Sequence, residues 1–123
     1  MNFLKFKIWD KKDKKMYQPE VIWRINFSKG LGWSALTWTD EIIIEPEFLQ
    51  YTNQKTRKSK EEIYRGDIVE DLRGIPYEVY WEEENCQYRL APRGDRQFDK
   101  TKLISFARET IGNIFQDPEL LRE

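Results

Sequence analysis

The side chains best equipped for intermolecular chemistry are two lysine-rich clusters set beside aromatic rings. In the first, Lys11, Lys12, Lys14 and Lys15 lie between Trp9 and Tyr17; in the second, Lys55, Arg57, Lys58 and Lys60 follow Tyr51. Cationic groups neutralise phosphates and flat rings accept unstacked bases, so these are the components of a nucleic-acid surface. Trp9, Lys11, Lys12, Lys15, Tyr17, Lys55, Arg57 and Lys58 are accordingly the candidate nucleic-acid-binding residues. The plainer alternative is a pair of hydrated turns, and Asp10 and Asp13 dilute the first cluster. The chain as a whole adds nothing to either cluster. Its 21 Lys and Arg stand against 22 Asp and Glu, a net charge of -1, so no global field draws in a polyanion. The hydrated-turn reading is preferred.

Other chemistry is sparse. With no histidine, imidazole acid–base catalysis, His-activated nucleophiles and imidazole zinc sites are excluded. A single cysteine, Cys86, makes neither a structural zinc site nor an intrachain disulfide, and it fits a reducing compartment. Alternation places Cys86 on an apolar strand face, as a small core residue. Gly30-Leu31-Gly32-Trp33-Ser34-Ala35 matches a dinucleotide-loop pattern. That pattern needs a following helix, whereas Leu36-Thr37-Trp38-Thr39 favours a strand, so a connection between strands is expected. Asp67, Glu70 and Asp71, or Glu82-Glu83-Glu84, supply oxygen ligands without a cation-loop spacing. Asp67 reads instead as a turn residue, and the glutamates as a hydrated hairpin tip. No catalytic, cofactor or metal residue is assigned. Only carboxylate, lysine or tyrosine chemistry stays open, and a carboxylate-dependent hydrolase is the least favoured function.

The elements that must position these groups are short strands. Leu4, Phe6 and Ile8 alternate with lysines, and a polar run over 10–15 turns the chain toward Met16-Tyr17. Val21, Trp23, Ile25 and Phe27 alternate again, Ser28–Gly32 breaks the run, and Leu36–Thr39 and Ile42–Ile44 favour strands before Pro46. The Gln54–Glu62 stretch has almost nothing to bury and is expected to be a mobile loop between two halves. Gly66-Asp67 predicts a tight turn in which the carboxylate accepts backbone N–H groups. Tyr77, Val79 and Trp81, then Cys86, Tyr88 and Leu90, predict a hairpin that turns at Glu83–Asn85. Leu103–Arg108 is compatible with a helical turn or a strand. Ile111–Phe115 reads as a last strand, and Asp117-Pro118 as the start of a short terminal helix carrying Leu120 and Leu121 inward. The fold class is mainly β: a small barrel or sandwich in place of a parallel sheet. Aromatics at 15% of residues suit pleated, half-buried surfaces and interfaces. Residues 1–5 show no apolar signal core, and no apolar run nears the roughly 20 residues of a membrane helix. A soluble cytoplasmic protein is expected.

Four blocks in fixed order carry a resemblance. Lys5-Phe6-Lys7-Ile8-Trp9-Asp10 with the following lysines and Met16, Leu49-Gln50-Tyr51-Thr52-Asn53-Gln54-Lys55, Glu62-Ile63-Tyr64-Arg65-Gly66-Asp67-Ile68-Val69, and Ile111-Gly112-Asn113-Ile114-Phe115-Gln116-Asp117-Pro118-Glu119-Leu120-Leu121 are similar to the YopX family of phage and prophage proteins. Asn53 stands where that family usually has Gly, and residues 27–44 match nothing. The resemblance implies an SH3-type barrel over 49–123 and a β-rich portion over 1–48 that mediates self-association, the two packing separately or as one domain. It also implies carriage on phage or prophage genomes and action in a bacterial cytoplasm. It supplies no activity and no catalytic residues. The expected function is therefore an accessory protein that binds a protein partner or its own copies, with no cofactor and no membrane. A nucleic-acid-binding module is the alternative.

Overall fold

The computed structural model of the protein describes residues 5–30 and 32–122, so the Leu4 part of the first expected strand lies outside the described residues. The chain divides into two compact units, Met1–Gln50 and Tyr51–Glu123. The division falls two residues beyond the 48/49 boundary expected from sequence. The fold is mainly β. The helical residues among those described sit in four 3-10 turns, at Pro19–Val21, Phe98–Lys100, Ile104–Phe106 and Pro118–Leu121.

In the first unit, β1 (Phe6–Asp10) and β2 (Lys15–Tyr17) form an antiparallel hairpin, and β1 also pairs with the start of β6 (Glu47–Lys55). A three-stranded antiparallel sheet runs in the order β3 (Ile22–Ser28), β4 (Gly32–Thr37), β5 (Ile42–Ile44). The residues after Gly32 are thus strand where a dinucleotide loop needs a helix. Ile8, Tyr17, Ala35 and Ile43 form the buried core, with Phe6, Ile22, Ile25 and Phe48 packed around it. Each fully buried aliphatic side chain contributes about 1.5–3 kcal/mol relative to exposure. Tyr17 brings a hydroxyl into this core and donates it to Glu41 Oε2 at 2.7 Å, while Lys15 Nζ stands 3.5 Å from the same carboxylate.

The second unit begins with the remainder of β6, whose Tyr51 and Lys55 pair with β7 (Glu62–Tyr64). The register slips between those two pairs, and Asn53 takes a φ of 67° there. That left-handed backbone suits glycine, with asparagine the next best tolerated, which accounts for the Asn-for-Gly departure noted in the sequence. A curled half-barrel sheet follows, in the order β11 (Lys102–Leu103), β10 (Gln87–Pro92), β9 (Pro76–Glu82), β8 (Asp67–Glu70), β12 (Glu109–Asn113). Its core is Ile63, Val69, Tyr77, Val79, Leu90 and Ala107.

Several expectations need correction. The Gln54–Glu62 stretch is no loose linker between halves but lies within the second unit. Thr56 is buried, its Oγ1 accepts from the Glu61 N–H, and the Arg57 and Lys58 N–H groups donate to the Ala107 and Arg108 carbonyls at 3.0 Å. Cys86 is exposed in the β9–β10 turn, with a φ of 50°, because the turn takes one residue more than alternation assigned to it. Glu82, read as part of a hydrated hairpin tip, is buried, and so is Glu78. Arg96 bonds the Glu78 carboxylate and lies over the Tyr80 ring, and Glu82 accepts from the Asn85 N–H. Leu103–Arg108 resolves into both alternatives, a two-residue strand and a 3-10 turn. The C-terminal helix is only the 3-10 turn Pro118–Leu121, and the Asp117 carboxylate bonds the Asn113 N–H rather than capping it.

The Gly66-Asp67 turn forms as read: Asp67 Oδ2 accepts from the Tyr64 N–H at 2.8 Å. Gly66 has a φ of 88°, and a Cβ there would sit 2.8 Å from Phe115 Cε2. Gly66→Ala therefore carries both backbone strain and a clash, and is expected to lower stability by about 2–3 kcal/mol in urea denaturation. Tyr17 gives a second prediction. Burial, then its bond to Glu41, pushes the phenol up to about 12. Because the folded value exceeds the ordinary value of about 10, the stability it contributes is intact below pH about 10 and is lost as pH rises toward about 12. Across that window the urea midpoint of the wild type is expected to fall more steeply than that of Tyr17→Phe.

Candidate functional site

The first lysine cluster does not assemble into a stacking platform. Trp9 and Tyr17 lie on paired strands with 8% and 6% of their surfaces exposed, so neither ring presents a face to a base. Lys11 pairs with Glu47 at 3.3 Å, and Lys15 sits 5.0 Å from the Tyr17 ring centroid as well as beside Glu41. Lys12 lies in the turn, which Asp10 organises by accepting the Lys12 N–H at 3.0 Å. Asp10, which seemed to dilute the cluster, is the buried group that shapes the turn.

The second cluster is divided. Lys55 ends β6 opposite Glu62, and Tyr51 packs on Tyr64 with ring centroids 5.5 Å apart. Arg57 and Lys58 instead line a cleft of about 570 Å³ with Arg73, Lys102 and Arg108. Phe106 and Leu72 supply exposed apolar surface to it, and among the described residues Asp71 is its one carboxylate. Three segments converge here. The Arg57 and Lys58 N–H groups bond residues 107 and 108, and the Arg108 N–H bonds the Glu70 carbonyl at 2.8 Å. Asp71 holds the third segment: its carboxylate accepts from the N–H groups of Arg73 and Ile75, the Tyr77 hydroxyl and the Arg73 guanidinium. Burial alone would raise the Asp71 pKa; these four donors outweigh it and hold the carboxyl below its ordinary range. Asp67 and Asp71 thus serve turns rather than converging on a cation. Arg73, Lys102, Phe106 and Arg108 were missed in the sequence because they lie in two segments, 71–73 and 102–108, distant in the chain from Arg57 and without a dense basic run of their own. Only the strand pairing brings them to Arg57.

The first unit carries an apolar surface of a different kind. Along its three-stranded sheet, Trp23 (48% exposed), Phe27 (64%), Ile42 (70%) and Ile44 (60%) meet solvent. Trp23 leans on Trp38 with centroids 5.6 Å apart, and Phe27 on Trp33, its cross-strand partner, at 5.0 Å. Among the described residues β3 is an end strand, with β4 on one side. In its seven residues, Ile22–Ser28, Arg24 is the single charge, and there is no proline. Natural edges are usually blunted by lysines, prolines or short length.

No helix among the described residues is long and apolar enough to cross a membrane. No functionally curated protein matches the chain. The fold is similar to that of protein EF1440 from Enterococcus faecalis, known from a crystal structure. The likeness covers 99% of this chain and 100% of that one, with a TM-score of 0.63 and 20% identity. The family model described as YopX protein matches residues 5–122, which includes the 27–44 stretch that resembled nothing when read alone. The four ordered sequence blocks and the family match agree, and the chain belongs to the YopX family.

Proposed function

We propose that this protein acts by binding rather than by catalysis, as an accessory protein of a phage or prophage, and that its first contact is with a second copy of itself through β3. One observation carries the reading: a seven-residue end strand with a single charge, flanked by the exposed rings of Trp23 and Phe27. An unpaired strand edge is a row of backbone donors and acceptors, and an identical strand related by a two-fold axis satisfies both rows at once. If the axis passes Ile25, Arg24 meets Asn26 of the second copy and Trp23 meets Phe27, so no like charges face each other. Aromatic cross-strand pairs of that kind each contribute roughly 0.2–1 kcal/mol. The second unit is read as an SH3-type barrel. Support comes from the β8–β9–β10–β11 meander, the 3-10 turn at Ile104–Phe106 and the return of β12 to β8.

Light scattering across a range of protein concentrations tests the assembly, with twice the 15.0 kDa chain mass expected. Trp23→Asp with Phe27→Asp places like charges opposite each other and is expected to give a folded monomer by circular dichroism and mass. Trp23→Lys with Phe27→Asp makes the opposed pair complementary and is expected to restore the dimer. A 15.0 kDa wild type at every concentration, or a dimer unaffected by the double aspartate variant, would refute the β3 contact.

A further inference from the structure

We infer that the cationic cleft of the second unit binds single-stranded nucleic acid. Among the described residues, five cations, from Arg57, Lys58, Arg73, Lys102 and Arg108, surround about 570 Å³ with one lining carboxylate, Asp71, in a chain whose net charge is -1. Such local crowding is not the product of a general basic excess, and like charges held together oppose folding. Asp71 is already engaged by Arg73. Lys58 reaches Glu109 only at 3.9 Å, with the lysine side chain 56% exposed, which is a weak tie in water. Among the described residues, Arg57 and Arg108 have no ion-pair partner, so two guanidinium forks remain open. Forks of this geometry match phosphate oxygens two at a time.

The backbones that carry these forks are fixed beforehand. Arg57 and Lys58 are bonded to residues 107 and 108, and Arg108 to Glu70, so binding need not first order the loops. The apolar part of the cleft decides the class of polyanion. Phe106 is 49% exposed and Leu72 78%, with Lys102 Nζ 5.7 Å from the Phe106 ring centroid. An exposed ring beside cations suits a phosphate whose own base is free to stack. In a duplex the base faces are already occupied. An acidic peptide would use the cations and leave the ring idle.

The test is fluorescence anisotropy of a labelled oligothymidylate of about twelve nucleotides, titrated with the full chain from about 25 to 200 mM KCl. Three or four neutralised phosphates are expected to give a log–log salt slope of about -2 to -3. Arg57→Ala with Arg108→Ala should make that slope shallower by about 1.4. Phe106→Ala should weaken binding about tenfold and leave the slope unchanged. Lys11→Glu with Lys12→Glu, in the other unit, should bind like the wild type. Circular dichroism confirms that each variant is folded. No anisotropy change at the lowest salt, binding indifferent to the cleft variants, or a duplex of equal length binding as tightly would overturn the inference. Full displacement of the strand by an equal concentration of inorganic triphosphate would do so as well, assigning the cleft to a small phosphorylated ligand.

Discussion

The return of β12 to β8 is the constraint on which the second unit depends. Ile68 pairs with Gly112 and Asp67 with Asn113, and the Ile114 N–H donates to the Gly66 carbonyl at 2.8 Å. The two most recognisable strings of the sequence, Glu62–Val69 and Ile111–Leu121, are therefore the two sides of one closure. Their glycines serve it from both sides. Gly66 leaves room for the Phe115 ring, and a Cβ on Gly112 would stand 2.7 Å from Asp117 Oδ2 and 2.8 Å from Leu120 Cδ1. Asp117 then locks the end by accepting the Asn113 N–H and donating its own N–H to the Asn113 carbonyl. Residues in each string answer steric or hydrogen-bonding demands set by the other.

The same closure brings the cations together. Once β12 lies on β8, the Arg108 N–H reaches Glu70, and residues 107 and 108 offer their carbonyls to Arg57 and Lys58. Backbone bonds, indifferent to side-chain charge, thus gather guanidinium and ammonium groups that would otherwise separate. Asp71 offsets part of the repulsion, and its main work is local: it organises the turn before β9 and aligns Arg73. The Tyr77 hydroxyl that bonds it has its own pKa raised, first by burial and then by the Asp71 carboxylate. A phenol with a raised pKa remains a donor further into the alkaline range than an ordinary one.

Much of the fold was legible because strand alternation and turn chemistry are local. The alternation around Phe6–Ile8 and Val21–Phe27, and the Gly66-Asp67 turn, needed nothing beyond neighbouring residues. Reading failed where tertiary contact overrides alternation. Glu78 and Glu82 are buried because Arg96 and the hairpin turn satisfy them, and Cys86 is exposed because the turn is longer than its polar residues suggest. The lysine clusters show the limit for sites. Of the cations crowded in sequence, Lys11 and Lys15 are paired with carboxylates, whereas Arg57 and Lys58 line the cleft. The crowding that matters in space joins Arg57 and Lys58 to Arg73 and to Lys102 and Arg108, from two distant segments, and composition has no means of seeing it.

The two surfaces differ in the physics that drives them. An edge-strand contact rests on backbone hydrogen bonds and apolar rings, which added salt leaves intact or strengthens. A cluster of five cations loses its hold on phosphate as salt rises, because its advantage is the release of counterions. Ionic strength therefore separates them: high salt isolates assembly, and low salt reveals anion capture. If assembly through β3 doubles the chain, it also doubles the clefts, and two linked sites on one strand act at high effective concentration wherever the strand spans them. A modest cleft, with two open guanidinium forks and one exposed ring, then suffices for firm binding of a longer strand.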